Sequence, residues 1–136
     1  MAHFLATKNK QGKHMKTSEL TGSALDWAAA KADENLFPAG DVRLIDGGVI
    51  IIHAGGHEEA DHWSRYSPST DWALAGPIIE REQIGVGYTT EGGETWLAAM
   101  TDDPFYISGP TALVAAMRCY VASKLGDDVE LPEELI

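Results

Sequence analysis

Positive charge is scarce in this sequence. Its 136 residues include ten lysines and arginines against twenty-one aspartates and glutamates, which gives a net charge of −11. Because proteins contact phosphates through a basic surface, this balance disfavours direct binding of nucleic acid, and we expect none. Two interpretations of the acidity stay open. It can simply keep the protein soluble, or it can form a face that docks a basic partner or imitates DNA.

Cysteine and long apolar segments are scarce as well. Cys119 is the single cysteine, so no internal disulfide can form. The longest apolar run, residues 49–52, is far shorter than the roughly 20 residues that a membrane helix needs. No stretch has the composition of a secretion signal. We therefore predict a cytoplasmic protein without a membrane partner.

The length and the apolar content of 44% suit a single domain, which we place at residues 15–126. Residues 1–14 show no apolar periodicity, and we interpret them as a flexible lead-in or an added segment, with Met15 as the natural start. Residues 127–136 are acidic and contain Pro132, which opposes further helix. They predict a C-terminal tail.

Helical patterns lie near both ends of the predicted domain. Apolar residues at helical spacing run from Leu20 to about Ala32, where Ser18 or Thr21 can cap the first amides. A longer helix is expected between Pro110 and Gly126, since proline opens helices well and glycine ends them. Its apolar stripe consists of Leu113, Val114, Met117, Tyr120, Val121 and Leu125.

Strand patterns flank two glycine-rich turns. Residues 42–45 and 49–52 are predicted strands that flank the turn at residues 46–48, and residues 84–89 and 95–100 are predicted strands separated by the turn at residues 91–93. The order helix, hairpin, irregular centre, hairpin, helix predicts an α+β fold. In this arrangement the two hairpins form one antiparallel sheet, and both helices pack on one face of it.

The irregular centre, residues 67–82, contains two prolines, a glycine and a tryptophan. Ser69, Thr70 or Asp71 can cap a short helix over residues 72–74, which Gly76-Pro77 is expected to stop. The following residues 78–79 are predicted to add a strand or to lie flat over the core.

Three segments of the chain resemble the phage NinX-like family, small proteins of tailed phages and prophages. The matching segments are KTSELTG with ALDWA (residues 16–28), SPSTDW with GPIIERE (residues 67–82) and GPT with AAMRCYVASKLG (residues 109–126). Residues 54–66 depart from the family pattern. The resemblance implies a phage or prophage origin and action in the bacterial host cell, and it leaves the activity open.

One cluster has the chemistry of metal ligands. His53, His57 and His62 lie close together among acidic residues, and a loop can gather them around Zn²⁺ with a carboxylate. The spacing of His57 and His62 is one residue too long for the two histidines of a zinc-protease helix. The alternative is a solvated acidic loop whose histidines pick up metal only adventitiously. We predict no cofactor and keep zinc as the alternative.

Six residues form the predicted ligand site. Tryptophan rings offer flat faces to a base, Asp71 can accept hydrogen bonds from amino groups, and arginines can hold a phosphate or carboxylate. In the structural alternative, Trp72 belongs to the core, Asp71 caps a helix, and the arginines pair with nearby acids. The site consists of Asp71, Trp72, Glu80, Arg81, Trp96 and Arg118.

These observations favour a non-enzymatic phage accessory protein. We expect it to bind a host protein or a small nucleotide-like ligand, and so to modulate the host or counter its defences. Cys119 has small neighbours and is expected to be buried rather than catalytic. The alternatives are a metal-assisted hydrolase of small phosphoesters or nucleotides that uses the histidine cluster, and a structural homo-oligomer.

Overall fold

Helices separate groups of strands along the described chain. The computed structural model describes residues 13–33, 41–52, 63–93 and 95–136. The helices are α1 (Gly22–Ala32), α2 (Trp72–Glu82) and α3 (Ala112–Leu125). The strands are β1 (Lys13–Lys16), β2 (Asp41–Ile45), β3 (Gly48–Ile52), β4 (Trp63–Arg65), β5 (Ile84–Thr89), β6 (Thr95–Met100), β7 (Ile107–Gly109) and β8 (Asp128–Leu131). Short 3-10 turns cover Thr17–Glu19 and Glu133–Leu135.

All strand pairs in these ranges are antiparallel, and they form three sheets. The sheets have the orders β1-β8, β2-β3-β4 and β5-β6-β7. The expected α+β class is confirmed. The arrangement differs from the expected single sheet, because β4 extends the first hairpin and β7 extends the second, and each hairpin belongs to its own sheet.

Both predicted hairpins are present. In the β2-β3 turn Asp46 and Gly47 have φ values of 53° and 75°, the two left-handed conformations that a two-residue turn of this kind requires. The second hairpin pairs Ile84–Thr89 with Thr95–Met100, the predicted bounds. Turn chemistry and strand propensity therefore agree at these two positions.

Helix α3 is the central element of the core. Every residue from 113 to 121 is buried, because α1, α2 and strands β5, β6 and β7 all pack against it. Gly109 permits one of these contacts. A Cβ atom at Gly109 would lie 2.6 Å from the Ala115 nitrogen, so only glycine lets β7 approach the first turn of α3 so closely. The predicted stop is confirmed, since Gly126 ends the helix at φ 90°.

Helix α2 is longer than predicted. We expected Gly76-Pro77 to stop a short helix at residue 74, and we expected residues 78–79 to form a strand or lie flat; both predictions are wrong. The helix continues through Pro77 to Glu82 and ends at Gln83, which has a left-handed φ of 56°. Proline removes one amide hydrogen bond, but the burial of Ala75 and Ile78 against the core favours continuation.

The two ends of the described chain pair with each other. Strand β1 aligns Lys16 with Asp128, and Val129 and Leu131 of β8 are buried in the core. The single domain at residues 15–126 stays a prediction, but β8 lies beyond its expected end. Residues 128–131 are thus part of the packed structure.

Within the described ranges, no helix combines the length and the apolar character that crossing a membrane requires.

Candidate functional site

A buried carboxylate fixes the start of residues 67–82, which we call the central segment. Asp26 of α1 is only 7% exposed, and its Oδ1 accepts a hydrogen bond of 2.8 Å from the backbone amide of Ser69. The amides of Thr70 and Asp71 donate to the Ser67 carbonyl at 3.1 and 2.9 Å. This tight turn orients the chain into the first turn of α2.

The cap of α2 leaves a tryptophan in solvent. Asp71 Oδ1 accepts from the Ala73 amide at 2.9 Å, which is the expected capping bond. Trp72 then begins the helix with its side chain 59% exposed. The interpretation of Trp72 as a core residue is therefore wrong. An indole in this position contributes little to the core and leaves a large apolar surface in water.

The second tryptophan lies on the middle strand of the β5-β6-β7 sheet. Trp96 is opposite Tyr88 in the register, and the two rings meet edge to face with centroids 5.1 Å apart. Trp96 is half-buried and Tyr88 is exposed. The edge contact restricts the indole of Trp96, so it can present a fixed face.

Trp72 and Trp96 line the same groove, which we call the tryptophan groove. It has a volume of about 490 Å³. Its described lining consists of Ser69, Thr70, Trp72, Trp96, Pro110, Thr111, Ala112 and Leu113. The central segment supplies one wall, β6 supplies Trp96, and the start of α3 supplies the remainder.

The tryptophan groove is uncharged along its described lining. Two indoles and a leucine provide apolar surface, and the two threonines provide hydroxyl groups. Helices α2 and α3 both begin at the groove. Each helix is capped by its own side chain, since Asp71 accepts from Ala73 and Thr111 Oγ1 accepts from Val114 at 3.1 Å. These capped amides are not free to bind an anion.

Arg118 lies apart from this groove and has a structural position. It is 8% exposed, and its Nε and Nη1 donate to the carbonyls of Leu20 and Ser108, both at 2.9 Å. Burial lowers the pKa of the guanidinium, and the charge of Glu19 opposes that change. We expected Arg118 to pair with acids or hold a ligand, whereas it joins α3 to the start of α1 and to β7.

Arg81 also lies outside the tryptophan groove, at the far end of α2. Its Nε donates to Glu82 at 3.0 Å and its Nη2 to the Tyr120 hydroxyl at 3.3 Å, while Asp33 Oδ2 is 3.8 Å away. The hydrogen bond to Glu82 is the main cause that raises the pKa of Arg81. These contacts tie α2 to α3, which matches the structural alternative. Glu80 is exposed on the same helix.

The structure therefore brings Trp72 and Trp96 together, with Asp71 adjacent in sequence, and separates them from both arginines. Sequence reasoning missed the contribution of Pro110, Thr111 and Leu113 at the start of α3. It also missed Tyr88, although the correctly predicted second hairpin already implied that Tyr88 would face Trp96.

The histidine cluster lies outside the described residues. His53, His57 and His62 belong to the segment between β3 and β4 for which we give no structure, so the zinc site stays a prediction. Among the residues that are described, no group of three or more histidine, cysteine, aspartate or glutamate side chains could hold a metal ion.

Cys119 is buried, as expected from its small neighbours. Burial, together with the charge of Asp103, raises the pKa of its thiol to about 11. A thiol with such a pKa carries little thiolate at neutral pH, and the thiolate is the reactive form. This environment is unsuited to nucleophilic catalysis.

The sequence is similar to known proteins in two comparisons. A family model described as bacteriophage P22 NinX matches residues 16–124. The chain is also similar to the 2-oxoisovalerate dehydrogenase subunit alpha of Pseudomonas aeruginosa, with 36% identity over 74 residues. That match covers 51% of this chain, and the chain spans only 17% of the length of that subunit.

Proposed function

Because the chain belongs to the bacteriophage P22 NinX family, we propose that this phage accessory protein acts by binding rather than by catalysis. We further propose that the tryptophan groove holds a flat, nucleobase-like ring, and that the protein modulates the host from the host cytoplasm. The observation that carries this proposal is that Trp72 is 59% exposed and lines one groove together with Trp96. The similarity to a dehydrogenase subunit adds no activity, since it concerns a small part of that enzyme.

The dimensions and surface of the groove favour a small planar ligand. Its volume of about 490 Å³ lies within the range of roughly 300–1,000 Å³ that is typical of small-molecule sites. Stacking of a base on an aromatic side chain contributes about 1–3 kcal/mol. The hydroxyl groups of Thr70 and Thr111 can bond to the edge of the ring while the indoles contact its face.

The charges around the groove favour a ligand without phosphate. The described lining includes no lysine or arginine, and the exposed carboxylate of Asp71 lies between two lining residues in the sequence. A phosphate there would lose water without gaining a cation, and it would be repelled by the carboxylate. We therefore restrict the proposed ligand from a nucleotide to a nucleoside, a free base or a similar neutral ring.

A titration with the common ribonucleosides and their 5′-monophosphates tests this proposal. Binding is followed by intrinsic tryptophan fluorescence and by the amide NMR signals of residues 69–73 and 111–113. We expect at least one nucleoside to bind and its monophosphate to bind less tightly. The Trp72→Ala variant should lose about ten-fold or more in affinity, because it removes one stacking face.

Two variants serve as controls for that titration. Asp71→Asn keeps a side-chain cap but removes the charge, so it should reduce the difference between nucleoside and monophosphate. Phe105→Ala removes an exposed ring outside the groove and should leave nucleoside binding unchanged. If no nucleoside perturbs the groove signals, or if Trp72→Ala binds as tightly as the unmodified protein, the proposed function is wrong.

A further inference from the structure

A second groove lies next to the connection between β6 and β7, and Ala98 and Met100 of β6 are part of its lining. Residues 101–106 of this connection are all exposed. The connection is nevertheless held in place, since the Phe105 amide donates to Asp103 Oδ1 at 2.9 Å and Thr101 Oγ1 donates to the Gln83 carbonyl at 2.7 Å.

Two aromatic rings of this connection are unusually exposed. Phe105 is 79% exposed and Tyr106 is 68% exposed, and both line a groove of about 500 Å³. Removing an aromatic side chain from water is favourable, so two exposed rings side by side form an apolar surface that a partner can bury. Surfaces of this kind are typical of interaction sites.

The same groove has a negative rim. Asp103 and Asp127 line it, whereas its described lining contains no lysine, arginine or histidine. A neighbouring hollow shares Ser18, Ile107 and Asp127 with it and adds Asp128, although Lys16 also lines that part. Cys119 also lines the groove, and burial together with the charge of Asp103 raises the pKa of its thiol. We call this site, defined by Asp103, Phe105, Tyr106, Cys119 and Asp127, the acidic groove.

The acidic groove combines aromatic rings with carboxylates, and its described lining has no competing cation. This combination suits the side chain of arginine. The guanidinium of arginine stacks on aromatic rings and pairs with carboxylates in a planar, two-bond geometry. Anionic ligands are excluded by the rim, and a purely apolar ligand would leave the carboxylates in poor contact with water. The net charge of −11 would also attract a basic surface over a longer range.

We propose that the acidic groove docks a segment of a host protein that presents an arginine between apolar residues. This inference is independent of the proposed function, because the acidic groove and the tryptophan groove share no lining residue. The rings of Phe105 and Tyr106 contact the guanidinium and its apolar neighbours, and Asp103 and Asp127 accept its hydrogen bonds.

Three short capped peptides provide the test: Leu-Arg-Leu, the same peptide with citrulline in place of arginine, and Leu-Glu-Leu. Citrulline has nearly the shape of arginine but carries no charge. Each peptide is titrated into the full chain while the amide NMR signals of residues 101–103, 105–107 and 119–127 are recorded. We expect the arginine peptide to shift these signals, the citrulline peptide to bind about ten-fold more weakly or worse, and the glutamate peptide not to bind.

Two variants and one control separate docking from a change of fold. The double variant Asp103→Asn with Asp127→Asn removes the charge, while the asparagine at position 103 can still accept from the Phe105 amide. It should lose about ten-fold or more in affinity for the arginine peptide. The double variant Phe105→Ala with Tyr106→Ala should lose binding as well. Trp72→Ala should retain it, since Trp72 lines the other groove.

Several outcomes would overturn the proposal. Equal binding of the arginine and citrulline peptides, full binding by the double asparagine variant, or no shift with any peptide would each do so. Shifts of the same signals on dilution of the protein alone would show that a second copy of this chain occupies the groove. Because nucleoside binding is measured separately, failure here leaves the proposed function untouched.

Discussion

The Asp26 carboxylate on α1 accepts a hydrogen bond of 2.8 Å from the Ser69 amide, 43 residues later in the chain. Ser69 lines the tryptophan groove and precedes the cap of α2. One buried acceptor on α1 thus fixes both the start of α2 and one wall of the groove.

Removing this acceptor is expected to destabilise the fold and to weaken ligand binding together. Asp26→Ala leaves the Ser69 amide without its partner, at a cost of about 1–3 kcal/mol in the free energy of unfolding. Asp26→Asn keeps an oxygen that can accept and should cost less. Urea unfolding and the nucleoside titration measure the two effects. Equal stability of the alanine variant and the unmodified protein would contradict the role of this bond.

The same carboxylate predicts a pH dependence of stability. Burial raises the pKa of Asp26 above its ordinary value of 3.8, although the bond from Ser69 opposes the shift. The folded state then binds a proton more tightly than the unfolded state, so this group reduces stability as pH rises from about 3.8 through its raised pKa. The reduction stays in place at higher pH. Asp26→Asn should remove this component, which urea unfolding at about pH 4 and at about pH 7 can reveal.

The close approach at Gly109 provides a test of the core. Gly109→Ala places a Cβ atom 2.6 Å from the Ala115 nitrogen and 2.9 Å from its Cα, so β7 or α3 must move. We expect a loss of about 1–3 kcal/mol in the free energy of unfolding. The matched control is Gly87→Ala on β5, where a Cβ atom meets nothing within 4 Å. Similar losses in the two variants would contradict the packing described for α3.

Replacing the two arginines is expected to reduce the free energy of unfolding by different amounts and to leave nucleoside binding unchanged in both cases. Arg118→Met leaves the carbonyls of Leu20 and Ser108 without donors and should cost about 2–4 kcal/mol. The side chain of Arg81 is 41% exposed, so Arg81→Met should cost about 1 kcal/mol or less. Neither variant should change nucleoside binding at temperatures where it is folded. A loss of binding in folded Arg81→Met would return that residue to the ligand site.

Cys119 is expected to resist alkylation in the folded protein. With its pKa raised to about 11 and its side chain buried, it should react with iodoacetamide about two orders of magnitude more slowly than an exposed thiol near neutral pH. Mass spectrometry of the alkylated protein measures the rate, and urea-unfolded protein provides the control. Rapid labelling of the native protein would restore Cys119 as a candidate nucleophile.

Local signals explain what the sequence could predict. The bounds of the second hairpin and the stop of α3 at Gly126 depend on turn residues and short-range periodicity, and both predictions are confirmed. The continuation of α2 through Pro77 depends on burial of Ile78 against distant elements, which overrides the local preference of proline. The pairing of β1 with β8 joins opposite ends of the chain and leaves no local pattern.

Local signals also do not suffice to predict which residues form the candidate site. Trp72 and Trp96 were predicted, because rare aromatic residues can be read directly from a sequence. The sequence does not show which side chains share a groove. Arg118 was a candidate because positive charges are rare in this sequence. It lies on the buried part of α3, however, and donates its hydrogen bonds to backbone carbonyls instead of a ligand. Only the packing of α3 decides that assignment.

The most direct test of the central claim is native mass spectrometry of this protein, purified without denaturation from phage-infected cells. The unmodified protein and Phe105→Ala should carry an added mass of a nucleoside-sized neutral molecule, and Trp72→Ala should lack it. Collision of the complex should release a molecule that absorbs as a nucleobase. A bare chain in all three samples, or an added mass that Trp72→Ala retains, would contradict the assignment of the tryptophan groove as the binding site.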